Sequence, residues 1–168
     1  MGFKVGDKVV YPNHGVGIIQ EVSRRNIGGI PGEFYMLRIQ SNSSLVMIPT
    51  GNAESVGLRR LCGKKDLDHL FDILKGKNSN MVADWKGRYK QNLERMKTGS
   101  ILDVAEVLKN LSYLSAQKSL SFREKRMLDR ARQLVISEIA TVKKTSADNI
   151  ELLVDGYLTS GNVRTGTA

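Results

Sequence analysis

The sequence predicts an α+β chain, in which a small, strongly bent β-sheet or barrel precedes an all-α domain of about five helices. Two observations carry this. All three prolines (Pro12, Pro31, Pro49) and ten of the sixteen glycines precede Lys64, among short β-branched runs broken by turn residues. From Lys64 onward the apolar period changes from two to that of a helix.

Lys8 to Tyr11 (KVVY) reads as a strand, and PNHG turns the chain. Val16 to Val22 and Glu33 to Ile39 read as strands joined across NIGGIPG, whose glycines suit a hairpin end. Leu45 to Ile48 is a fourth strand and Leu58 to Leu61 a candidate fifth, a spacing that fits a small barrel. Leu67, Leu70, Phe71 and Leu74 mark a first helix. Val82, Trp85, Tyr89, Leu93 and Met96 mark the apolar arc of a second, which Gly99 stops. Ser100 opens a third helix, with Leu102, Ala105, Leu108 and Leu111. Ser121 to Glu124 is a capping box that starts a long helix to Val142. A short last helix covers Ala147 to Leu158. The plan is therefore a β domain over 1–63, a basic helical domain over 64–158, and a flexible tail over 159–168.

The net charge is +9, and its placement is informative. Residues 1–63 carry +3, residues 64–145 carry +8 and the remainder −2. A cationic middle points to a polyanion partner, with solubility as the plainer explanation. No apolar run approaches the ~18 residues of a membrane span. The N-terminus lacks the apolar core of a secretory signal, and a single cysteine, Cys62, fits a reducing cytoplasm. His14 and His69 have no metal-ligand partner at helical or CxxC spacing. There is no P-loop, no dinucleotide fingerprint and no nucleophile signature, and the glycines of HGVG and IGGIPG read as turn glycines. The expectation is a non-enzyme with no metal and no cofactor. Tyr11, Phe34 and Tyr35 raise a methyl-lysine cage, but alternate strand residues more often supply core.

GDKVVYP followed by HGVG resembles the start of the CarD family of bacterial transcription regulators. The second half is similar too, in NAESVGLRRL, WKGRYKQNLERMKTG, VAEVLKNL and LSFREKRMLDRARQLV. The resemblance covers residues 1–157, with matches in both domains and in the right order. It implies a Tudor-like β domain shared with transcription-repair coupling factors, which binds the RNA polymerase β subunit. It also implies a helical domain that touches promoter DNA at the upstream edge of the melted −10 region and stabilises the open complex. A cytoplasmic monomer is expected besides. A tryptophan wedged into the minor groove goes with that role; no enzyme activity and no cofactor do.

The resemblance places the wedge on Trp85, the chain's only tryptophan. Periodicity alone puts Trp85 in the apolar arc of its helix and reads as core, so the two readings compete at this residue. Lys86, Arg88, Lys90, Lys125 and Arg126 are the expected DNA contacts, with Arg88, Lys90, Lys125 and Arg126 matching basic positions of the family. Family members often carry another basic residue where this chain has Gly87. In the β domain Arg24 and Arg25 end a strand, and Arg25 matches a family polymerase contact. A second basic contact falls here on Met47, which cannot pair with a carboxylate but fills an apolar patch. Phosphate contacts and a wedge give weak sequence preference, and about three such contacts predict a slope of log K against log salt near −3. The alternative, from a different class, is a ribosome- or RNA-associated module, which co-sedimentation with ribosomal particles distinguishes from one that tracks the polymerase core.

Overall fold

The computed structural model describes residues 2–76 and 85–166, without the side chains of Trp85 and residues 160–166. Val82, expected on the second helix, and the Trp85 wedge itself therefore lie outside the described residues and side chains. The chain divides into two compact units, Met1–Leu61 and Cys62–Ala168. The joint falls two residues before the expected one because Cys62 is buried in the helical core and its backbone N–H donates to Glu138 Oε2 at 2.9 Å.

The first unit is a five-stranded antiparallel sheet in the order β4-β3-β2-β1-β5, formed by β1 (Lys8–Tyr11), β2 (Gly15–Ile27), β3 (Ile30–Ile39), β4 (Leu45–Pro49) and β5 (Arg59–Arg60). Its core is the alternating set Val9, Ile19, Tyr35, Leu37, Ile39 and Ile48, closed by Ala53 and Leu58. Gln20 is the extra residue where the β2–β3 register shifts. That bulge lets Ile19 and Val22, three apart, both reach the core. Tyr35 is core, and its hydroxyl accepts from the Phe3 N–H at 3.0 Å; Phe34 points to the opposite face, so no aromatic cage forms.

Two expectations change here. β2 and β3 run on to Ile27 and Ile30, leaving only Gly28 and Gly29 as the turn, with φ of 61° and 82°. Pro31 is tolerated inside β3 because β4 pairs with β3 only from Phe34 onward, so the N–H that proline lacks has no partner strand to serve. Gly17 is not a turn glycine: it lies mid-strand between Val9 and Ile39.

The second unit packs α1 (Lys64–Lys75), α2 (Trp85–Lys97), α3 (Ile101–Gln117), α4 (Phe122–Lys143) and α5 (Ala147–Gly166). α3 is central and contacts each of the other four, which is why Val104, Ala105, Val107, Leu108 and Leu111 are all buried on it. α1 contributes Leu67, Leu70 and Leu74, α4 Ala131, Val135 and Ile139, and α5 Ile150, Val154 and Leu158, each set at helical spacing. Gly99 ends α2 at φ 80°. α5 does not end near Leu158; it continues to Gly166, so residues 159–166, expected as a flexible tail, are helical, and no proline there bars it. No described helix is long and apolar enough to cross a membrane.

Candidate functional site

Ser121 caps α4 by accepting the Glu124 N–H at 3.2 Å, and its hydroxyl donates to Glu124 Oε1 at 3.2 Å. The Glu124 carboxylate is thereby fixed over the first turn of α4, where a negative charge is favourable. Arg88 of α2 meets it with a fork, Nε to Oε2 at 2.9 Å and Nη2 to Oε1 at 3.3 Å. Both partners are buried, with relative exposures of 4% and 3%. Burial would raise the Glu124 pKa, but the Arg88 hydrogen bonds and charge, aided by Ser121, hold it below the ordinary glutamate range.

The sequence places Arg88 among the DNA contacts; in the structure its guanidinium is buried inside the helical unit and paired with Glu124, unlike the exposed lysines beside it. Of the expected apolar arc of α2, Met96 is buried in the helical core and Tyr89 and Leu93 are half-buried against it; the buried residues also include Arg88 and Asn92, which apolar periodicity does not pick out. Lys86, Lys90, Lys125 and Arg126 are exposed. The Arg88–Glu124 contact joins the first turns of α2 and α4, the two helix starts on which these four exposed cations lie. Two aromatic rings lie among them. Arg123 sits 5.9 Å from the Tyr89 ring centre and Arg126 5.7 Å from that of Phe122, which is 73% exposed. Phe122 was not singled out from sequence; an aromatic directly after a capping serine and before a basic run was the available signal.

Part of the cationic surplus is internal. Arg132 bridges α4 to α5 through Asp155 at 2.6 Å and Glu151 at 2.9 Å, which raises its pKa. Lys109 is buried on α3 beside Gly76 at the end of α1, and burial lowers its pKa although Glu106 opposes this. No group of His, Cys, Asp or Glu able to hold a metal ion occurs among the described residues.

In the β unit Arg24 and Arg25 are exposed and line a shallow depression with Asn26, Pro31, Gly32 and Glu33. Successive strand residues face opposite ways, so the two arginines separate: Arg24 lies 3.7 Å from Glu33, and Arg25 Nε donates to Ser23 Oγ at 3.2 Å. Arg25 shares its face with Phe34 and Met36, and Met36 is the register partner of Met47 on the edge strand β4. Met47 is 41% exposed and Leu45 46%, while Met36 is buried, so the exposed apolar area of this face lies on β4 between Arg25 at one end and Arg38, the register partner of Leu45, at the other. Phe34 and Leu45 are not evident from sequence because their place on this face depends on the register of β3 with β4, not on local pattern.

Family models match both halves: the CarD-like/TRCF RID domain over residues 3–62, and the CarD C-terminal domain over residues 69–155. A Bacillus subtilis (strain 168) protein named "Putative transcription factor YdeB" is 34% identical over 149 residues, which cover 89% of this chain and 97% of that protein. A solved structure, "CdnLNt from Myxoccoccus xanthus", is 41% identical and covers 38% of this chain and 90% of its own, with a TM-score of 0.33. With both domain models matched in order and a relative similar along nearly its whole length, the chain belongs to the CarD family of transcription factors.

Proposed function

We propose that this protein binds the RNA polymerase β subunit through the outer face of its β unit and stabilises the open promoter complex through the basic starts of α2 and α4. The observation that carries the reading is the buried ion pair that joins two helix starts, one with the exposed Lys86 and Lys90 and carrying Trp85, the other with the exposed Lys125 and Arg126. Clustered exposed cations beside aromatic rings suit a phosphate backbone and a minor groove better than base-edge readout. Trp85 is assigned the wedge at the upstream edge of the bubble. A wedge placed where strands are already unstacked binds the open state better than the closed one, and that difference in affinity lengthens the open complex's life. On the β unit, Arg25 supplies the charged contact, and Met47 with Leu45 and Phe34 supplies apolar area at the position where the family's second basic contact falls on a methionine. The edge strand β4 also offers unpaired backbone groups for a partner strand.

The test is the decay of heparin-challenged complexes of the cognate polymerase on a short-lived promoter. The native protein is expected to lengthen the lifetime, and Trp85→Ala to remove most of that gain, by about tenfold or ~1.4 kcal/mol. An unchanged lifetime with native protein bound to polymerase overturns the reading. A second expectation concerns salt. Lys90→Ala should weaken binding to any duplex alike and reduce the slope of log K against log salt by about 0.9, whereas Arg88, being buried, contributes nothing to that slope. Fluorescence titration of labelled duplex across a salt series checks this.

A further inference from the structure

We propose that the buried Arg88–Glu124 pair is a positioning device, which sets the direction of the first turn of α2 and so of the helix start that carries Trp85. The proposal rests on the reading above for its functional consequence, though not for its geometry.

Three observations carry it. The first is what holds α2 in place. Among its described side chains the buried ones are Arg88, Asn92 and Met96, with Tyr89 and Leu93 partly buried against the same core, so the deepest apolar anchor, Met96, lies at the far end of the helix and the deepest described anchor near its start is the ion pair. The second is directionality. A planar guanidinium joined to a carboxylate by two bonds, at 2.9 and 3.3 Å, fixes relative orientation in a way that apolar contact does not. The third is that the acceptor is itself immobilised: Glu124 sits in the first turn of α4 and is bonded to the capping Ser121, so the pair ties one helix start to another. Stability alone is a poor reason for such a pair, because well-packed apolar residues of similar volume in its place are often neutral or stabilising. What an apolar replacement does not supply is a fixed angle between the wedge-bearing turn of α2 and the cations Lys125 and Arg126 that follow Glu124. Minor-groove insertion with phosphate anchoring needs both at once, and small displacements of a positioned group are costly.

The experiment compares the native chain, Trp85→Ala and the double variant Arg88→Met with Glu124→Leu. The double variant is expected to keep its helical signal, its thermal midpoint and its capture of polymerase, yet to shorten open-complex lifetime by the same factor as Trp85→Ala. A folded double variant with the native lifetime overturns the proposal. Because Trp85 is the only tryptophan, its emission and anisotropy report the same turn without DNA or polymerase. The double variant should shift the emission and lower the anisotropy, and unchanged values overturn the proposal even if the native protein proves not to lengthen open-complex lifetime, a result that refutes the functional reading separately. Should the double variant fail to fold, Arg88→Lys keeps the charge and loses the fork. It is expected to lose most of the lifetime gain and to move the Trp85 signal, and native values in both count against the pair.

Discussion

Glu124→Ala is expected to destabilise the helical unit by about 3–5 kcal/mol, the range for breaking a buried ion pair from one side. The cause is the partner left behind. Arg88 is 4% exposed, and a guanidinium does not escape burial by losing its proton. The first turn of α2 must then open to water or hold an uncompensated charge, and the capping hydroxyl of Ser121 also loses its acceptor. Glu124→Gln keeps one acceptor oxygen and should cost less. Urea unfolding at neutral pH, followed through the helical signal, measures both, and a loss below about 1 kcal/mol for Glu124→Ala means that Arg88 finds another partner. The pH dependence has a defined sign. The Glu124 pKa is depressed in the folded state, so the pair's contribution is present above the unfolded glutamate value of about 4.3 and is lost as pH falls through the lower folded value. The native helical unit should weaken on that acid limb, and Glu124→Gln should flatten it.

Much of the architecture was legible because its signals are local. The strands β1, β2, β3 and β4 announce themselves by alternation and turn residues, and the Ser121 capping box marks the start of α4 by chemistry that acts within one turn. What escaped depended on surroundings. Pro31 and Gly32 look like loop residues, yet they continue β3 because nothing pairs beyond Phe34 on that side. The end of α5 was placed too early because Gly161 and polar residues read as fraying, while helix propagation past Leu158 needs no strong former once the helix exists.

The site was less legible than the fold, for a reason visible at Arg88. Periodicity weighs apolar residues, so it finds Tyr89, Leu93 and Met96, which do pack on the core, and passes over the arginine and the asparagine buried beside them. A charge can be buried when its partner is present, and that partner is 36 residues away on another helix. Arg88 matched a basic family position, but a match in residue type does not distinguish a phosphate anchor from a structural clamp. Arg132 makes the same point, since Glu151 and Asp155 of α5 take up its charge. Lys86, Lys90, Lys125 and Arg126, by contrast, have long stems that reach solvent from a helix surface, so their exposure could be foreseen.

Gly17→Val should unfold much of the β unit while leaving the helical unit intact. A Cβ on Gly17 would lie 2.9 Å from the Arg38 carbonyl oxygen and 2.7 Å from Leu37 Cδ1. The leucine methyl can rotate aside, but the carbonyl belongs to β3, and β3 is paired on both sides along this stretch. The two strands must separate, or β2 must twist away from Val9 and Ile39, and either loosens a core with few residues to spare. Overpacking of this kind costs about 3 kcal/mol or more when backbone has to move. A domain of about 60 residues commonly has only ~3–5 kcal/mol in total, so the change consumes most of it. Gly17→Ala carries the same first clash and should show a smaller loss. Hydrogen exchange provides the check: β2 and β3 amides should lose protection, while those of Val107 to Leu111 on α3, in a separate core, keep it. Native-like protection in β2 and β3 would mean that the strands part by a few tenths of an ångström at little expense. The same variant separates the two proposed contacts, because capture of the polymerase β subunit should fall with the β unit while the salt-dependent binding of duplex DNA by the helical unit remains.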